Sequence, residues 1–232
     1  VVQGNTLRNF TSAAINISGS PTPAAASGSI IGGIAAGAGN VITASGTGVV
    51  ITQPQTVSVE ITSNSIFGNT RAIELTPATP TPNDPAPDAD TGQNDLQNYP
   101  NITFAERTAI GATIRGTLIS APSTPYLVQI FATPAPDAEA KTLLGSLNIT
   151  TDATGSATFE LSTTGASPAI GDLITATATN RALAAAPGSS PNSTSEVGPA
   201  VAVAVSIPVE GPFVLALLAA AIAAAGVFAA RR

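Results

Sequence analysis

The 232-residue chain has no Cys, no His, no Met and no Trp. Disulfides, thiolate or imidazole metal sites, and any Ser-His or Cys-His catalytic pair are thereby excluded. Charge is also scarce, at 9% of residues against roughly 25% in an ordinary soluble domain. With 8 Lys and Arg against 14 Asp and Glu, the net charge is −6, and no basic stripe is available for nucleic acid. What fills the chain instead is Thr, Ser, Asn, Gly, Ala and Pro, a composition of strands and turns rather than helices. The expected fold class is therefore all-β.

Three zones and a tail follow one another. Residues 1–75 repeat. GAGNVITASGTGVVI (37–51) aligns with TSNSIFGNTRAIEL (62–75), matching Asn40 to Asn64, Ile42 to Ile66, Val49 to Ile73 and Ile51 to Leu75. The opening segment fits the same frame at Asn5 and Leu7, with one extra residue before Ile15 and Ile17. Aliphatic residues at period two share one face, and Asn and Gly tolerate the left-handed angles of corners. A unit of 24 residues cannot bury its apolar face alone, so successive units are expected to stack as coils. Recurrent Asn5, Asn40 and Asn64 are expected to form a ladder of side chains bonded to backbone. Val1–Phe10 reads as the interior of a repeat, so further coils and an export signal are expected upstream.

Residues 76–100 are Pro-rich and acidic, which excludes helix and central strand and predicts a linker or ordered loop. Residues 101–205 carry longer alternating segments, around Ile110–Leu118, Tyr126–Ala132, Leu143–Thr150, Ala157–Leu161 and Leu173–Thr179. Turn residues fall at 121–123, 152–155 and 167–171, a spacing that predicts an antiparallel β-sandwich. Phe104, Phe131 and Phe159 are its expected core aromatics. Residues 206–232 form the tail: Phe213 to Ala230 is 18 residues without charge or Pro, followed by Arg231 and Arg232. As a helix this spans roughly 27 Å, enough to cross a bilayer, with the two Arg on the cytoplasmic side and the β domains outside.

SIIGG (29–33), GAGNVI (37–42), NSIFGN (64–69) and AIEL (72–75) resemble the right-handed parallel β-helix repeats of the pectate-lyase-like superfamily, closest to large bacterial surface proteins. Residues 101–205 resemble the immunoglobulin-like module that often follows such coils. Ile207 and Pro208 before the apolar tail resemble the exosortase-type sorting signal that begins Ile-Pro-Thr-Leu, from which this chain departs at Val209 and Glu210. The resemblance implies a protein of the bacterial cell envelope on the exported side. It would be anchored by its tail, or released after a sortase-like enzyme processes it. A polysaccharide or another cell-surface ligand would be its partner.

The residues offer two candidate chemistries. Asp84, Asp88, Asp90, Asn94 and Asp95 place oxygen ligands at close spacing around Gly92, as Ca²⁺ demands; the same residues also serve a polar linker whose side chains cap turns. Catalysis on polysaccharide, as in lyases and hydrolases of the superfamily, needs clustered carboxylates. The repeat zone offers Glu60 and Glu74 as acids, both at expected outward positions in different strand pieces, with Arg8 and Arg71 as bases. A solvated outer face accounts for them more simply, so the sequence favours a non-catalytic stalk or adhesion-type protein. Tyr99 and Tyr126 are the chain's tyrosines, too few to argue a sugar platform.

Overall fold

A computed structural model describes residues 1–19, 28–75, 81–165, 167–183 and 189–205. The tail, with Ile207, Pro208, Arg231 and Arg232, lies outside the described residues. Within them no helix is long and apolar enough to cross a membrane. The fold is all-β.

Its first part is a set of three parallel sheets. Strands β1 (Thr6–Arg8), β4 (Val41–Thr43) and β7 (Ser65–Phe67) form one. Strands β2 (Ala13–Ile17), β5 (Thr47–Ile51) and β8 (Arg71–Leu75) form the second, and β3 (Ile30–Gly32) with β6 (Glu60–Thr62) the third. The chain visits these sheets in the same order, turn after turn. Ile42 pairs with Ile66, Val49 with Ile73 and Ile51 with Leu75, the partners that the repeat predicts. Leu7 joins Ile42, and Ile15 and Ile17 join Val49 and Ile51, so the extra residue of the first turn lies between its strands. Inward aliphatics from all three sheets make one cluster, including Ile31, Ile42, Val49, Ile51, Ile61, Ile66 and Leu75.

Asn side chains bind turn to turn. Asn40 Oδ1 accepts the backbone N–H of Asn5 (3.0 Å) and its Nδ2 (3.1 Å), and Asn64 Oδ1 accepts the same two groups of Asn40 at 3.0 and 2.8 Å. Asn64 Nδ2 donates in turn to the carbonyls of Ile31 and Thr62. Every buried amide of the column is thus matched, as burial requires. The expected ladder is present.

The second part consists of two four-stranded sheets. Strands β9 (Asn101–Arg107), β10 (Gly111–Ile119), β13 (Ser156–Thr164) and β16 (Ala204–Val205) lie in the order β13-β10-β9-β16. Strands β11 (Pro125–Thr133), β12 (Thr142–Thr150), β14 (Leu173–Asn180) and β15 (Val201–Ala202) lie in the order β12-β11-β14-β15. All pairs are antiparallel except β16 with β9. Ile102, Ile114 and Phe159 of the first sheet meet Val128, Ile130 and Ile174 of the second in a shared core. Two expected core aromatics lie elsewhere. Phe104 is half-buried on the outer face, where the Arg115 guanidinium stacks 4.9 Å from its ring centroid. Phe131 is buried on the opposite face of β11 from the core, beside Ile61, Ile66 and Ile73 of the parallel turns. Ile110, expected to begin β10, precedes the strand and is exposed.

That second face of β11 belongs to a joint between the two parts. A parallel sheet presents unpaired N–H and C=O groups at its last strand, a liability that folds must cover. Here Ile66 exchanges both backbone hydrogen bonds with Ala140 at 2.9 Å. The Ile61 N–H donates to Thr194 Oγ1 (3.0 Å), and the Leu75 N–H to Glu196 Oε1 (2.8 Å). Each of the three sheets is therefore closed by a residue of the sandwich or its loops.

Candidate functional site

The acidic segment is packed rather than extended: Asp88, Gln93, Asn94, Asp95, Gln97 and Asn98 are all buried. Asp88 takes a left-handed φ of 61°, and Asp84 Oδ2 accepts the Ala89 N–H at 3.3 Å, so the chain curls back on itself. The curl brings carboxylate oxygens of Asp84, Asp88 and Asp90 within 4.8 Å of one another. One edge of this cluster is held by neutral donors. Asp88 Oδ2 accepts from Gln97 Nε2 (3.1 Å), from the Asn98 N–H (3.4 Å) and from the Ser120 hydroxyl, which also lies 2.7 Å from the Tyr126 hydroxyl. Asn98 Nδ2 donates to Asp84 Oδ1 (3.2 Å) and to the carbonyl of Ile119. The other edge is bare: Oδ1 of Asp88 and Oδ1 of Asp90 are buried without a hydrogen-bond partner. Burial, the largest cause, pushes Asp88 up to about 8, and the charges of Asp84 and Asp90 add to it. Burial likewise lifts Asp90 to about 6, helped by Asp84 and Asp95.

The remaining two expected ligands are engaged elsewhere. Asn94 and Asp95 occupy a tight turn at φ 49° and 55°. Asn94 Nδ2 donates to the carbonyls of Val59 (2.8 Å) and Thr194 (2.9 Å), and its Oδ1 accepts the Val59 N–H. Asp95 Oδ2 accepts the Ser190 N–H at 2.6 Å. Asn94 therefore sews the loop to the last parallel turn, and Asp95 ties it to the segment before Thr194. Gln97, Asn98 and Ser120, which orient the carboxylates, carried no sequence signal beyond their polarity.

A second feature escaped the sequence reading altogether. A cleft of about 370 Å³ opens at the joint, lined by Asn69, Arg71, Asp137, Glu139 and Glu196 among others. Glu139 is 5% exposed; its Oε2 accepts the Asn69 N–H at 2.8 Å, and its Oε1 is buried without a partner. Burial pushes this carboxyl up to about 7, with the charge of Asp137 adding to the rise. Burial also raises Glu196, whose two oxygens accept the N–H groups of Leu75 and Thr81. No local pattern announces the cleft, because it forms between segments far apart in sequence, 69–73, 136–139 and 196–197.

The repeat-zone acids do not face one another. Glu60 on β6 is gripped by Arg181, whereas Glu74 on β8 accepts from Thr47 Oγ1 (3.0 Å) and lies 3.6 Å from Arg71. Arg8 is exposed, and Tyr126 is fully buried rather than presented to a sugar. No protein-family model matches the chain, and no curated protein matches it in sequence.

Proposed function

We propose that this chain is a non-catalytic surface module of a bacterial cell envelope, a rigid stalk or adhesion-type protein held or sorted by its tail. In this reading residues 1–75 are the last coils of a right-handed parallel β-helix. The strand order β12-β11-β14-β15 against β13-β10-β9 supports an immunoglobulin-like module for the rest. The observation that carries the proposal is the joint. Its charged groups are engaged in holding one part to the other: Arg181 on Glu60, Glu196 on Leu75, Glu139 on Asn69. A column closed in this way transmits load and presents side chains at fixed spacing, which a stalk requires.

The competing reading is a polysaccharide lyase or hydrolase whose active coils lie outside this chain. The cleft does not favour it. Hydrolysis needs two facing carboxylates, and the oxygens of the other two acids in the cleft, Glu196 and Asp137, already accept backbone N–H groups. Two measurements test the proposal together. Incubation with polygalacturonate and alginate should yield neither unsaturated products nor new reducing ends. Protease treatment of intact cells exporting the full chain should remove the β domains from the outside. Turnover above the buffer rate overturns the non-catalytic reading, and protection from external protease overturns the envelope topology.

A further inference from the structure

We infer that Asp84, Asp88 and Asp90 form a binding site for one divalent cation, Ca²⁺, at the seam between the acidic loop and the sandwich. The argument starts from what surrounds three carboxylates that converge within 4.8 Å. Among the described residues none of the three belongs to an ion pair; the ion pairs there are Arg71–Glu74, Arg115–Glu160 and Arg181–Glu60. Their protein partners are neutral donors: Gln97, Asn98, Ser120 and the Ala89 N–H. Such donors fix the orientation of a carboxylate without neutralising it, which is the task of groups that stand behind metal ligands.

A cluster of acids alone would be an ordinary surface feature. This one differs because Asp88 is 98% buried, yet its Oδ1 has no partner, and Oδ1 of Asp90 is buried and bare as well. A buried oxygen without a donor is costly, and several beside one another are more so. A cation coordinated by these oxygens removes both costs at once. The donor set selects the ion: oxygen only, with no His or Cys anywhere in the chain, favours a hard cation over zinc or copper. Each carboxylate supplies at least one of the six to eight oxygens that Ca²⁺ takes, and solvent can supply the rest. The five-residue ligand set of the sequence reading contracts to three, because Asn94 and Asp95 hold the loop to the rest of the fold instead.

The site sits where the ion would matter mechanically. Asp88 reaches Ser120 at the end of β10, and Asn98 bridges Asp84 to Ile119. Ca²⁺ would lock the curl of residues 84–90 against that strand end.

The test uses the full chain in detergent, stripped with EDTA and titrated with Ca²⁺ by calorimetry. One ion per chain should bind. Saturating Ca²⁺ should raise the unfolding temperature, by on the order of 5 °C at a hundredfold excess over the Kd. Tb³⁺ gives a second readout. The chain has two Tyr and no Trp, and the Tyr126 hydroxyl shares Ser120 with Asp88, so bound Tb³⁺ should emit on tyrosine excitation. The Asp84→Asn/Asp90→Asn double variant should bind at least tenfold more weakly and lose the sensitised emission, while its unfolding temperature in EDTA is not lowered. Absence of Ca²⁺ binding to the stripped wild-type chain at millimolar concentration overturns the inference. So does a double variant that binds as the wild type does. Should that variant fail to fold, the wild-type titration decides alone.

Discussion

The guanidinium of Arg181 holds both carboxylate oxygens of Glu60, Nη1 to Oε2 at 3.0 Å and Nη2 to Oε1 at 2.8 Å, across 121 residues of sequence. Paired N–H donors matching two oxygens give geometric specificity that a single contact lacks. The Arg181 hydrogen bond is also the main reason that Glu60 titrates below the usual carboxylate range. Because the folded pKa is depressed, the stabilisation is present above the ordinary value near 4.5 and is lost as pH falls through the lowered one. A double-mutant cycle of Glu60→Gln and Arg181→Gln should give a coupling of roughly 1 kcal/mol at pH 7, since both side chains are partly exposed. The coupling should fade as pH falls through the lowered Glu60 value. A coupling that persists below that value would mean that packing, not charge, joins the two residues.

Asn40 sits mid-ladder with 1% of its surface exposed. Asn40→Ala removes the acceptor for Asn5, the donor to Asn64 Oδ1 and the donor to the Val2 carbonyl (2.9 Å). Stranding buried polar groups should cost about 2–4 kcal/mol, read as a lower urea midpoint at unchanged slope. Asn40→Asp should be nearly as harmful, because a carboxylate cannot donate to Asn64. Near-normal stability of Asn40→Asp would contradict the hydrogen-bond account.

Thr194 is a single residue on which the joint turns. Its Oγ1 accepts the Ile61 N–H and lies 2.9 Å from Thr179 Oγ1, and its own N–H donates to the Val59 carbonyl. Thr194→Val keeps the shape and deletes the hydroxyl, so it should lower stability by about 1–3 kcal/mol through the orphaned Ile61 amide. If the joint welds the two parts into one cooperative unit, amide exchange should speed at Ile61 first. Unchanged protection at Ile61 would contradict the bond.

Glu139 should make the joint sensitive to alkali. Its folded pKa, raised to about 7, exceeds the ordinary value near 4.5, so the stability it permits is complete below pH 4.5 and is lost as pH rises through 7. The groups around it in the cleft are Asp137, Arg71 and Glu196. Glu139→Gln keeps an acceptor for the Asn69 N–H and removes the charge. It should therefore be more stable than the wild type at pH 8, by on the order of 1–3 kcal/mol, and similar to it at pH 4. An equal effect at both pH values would assign the change to packing instead.

The repeat was legible because stacking forces equivalent residues into register: Asn40 with Asn64 and Ile42 with Ile66 can be aligned on paper and are neighbours in space. The third sheet was harder, since β3 and β6 lie 30 residues apart against 24 for the neighbouring pairs. Phe131 was misplaced for a reason that the sequence did contain. Strand β11 is a near-continuous apolar run, YLVQIFA, which is what burial on both faces produces. The joint itself had no local signature, because its bonds connect residues far apart in sequence, such as Ile66 with Ala140 and Asn94 with Thr194. The acidic cluster was half legible: spacing along the chain identified the carboxylates, but only the curl at Asp88 separates Asp84, Asp88 and Asp90 from Asn94 and Asp95.

The ladder and the closed end together make length a free variable. The turn from Asn40 to Asn64 offers its successor the same Asn, the same aliphatics and the same spacing, while the groups that stop the stack come from beyond Leu75, among them Asn94, Gln129, Ala140, Thr194 and Glu196. A duplicated 24-residue turn inserted at Asn64 would meet a familiar neighbour on either side and leave the terminus untouched. Such a molecule can grow longer by copying itself, without inventing a new way to finish.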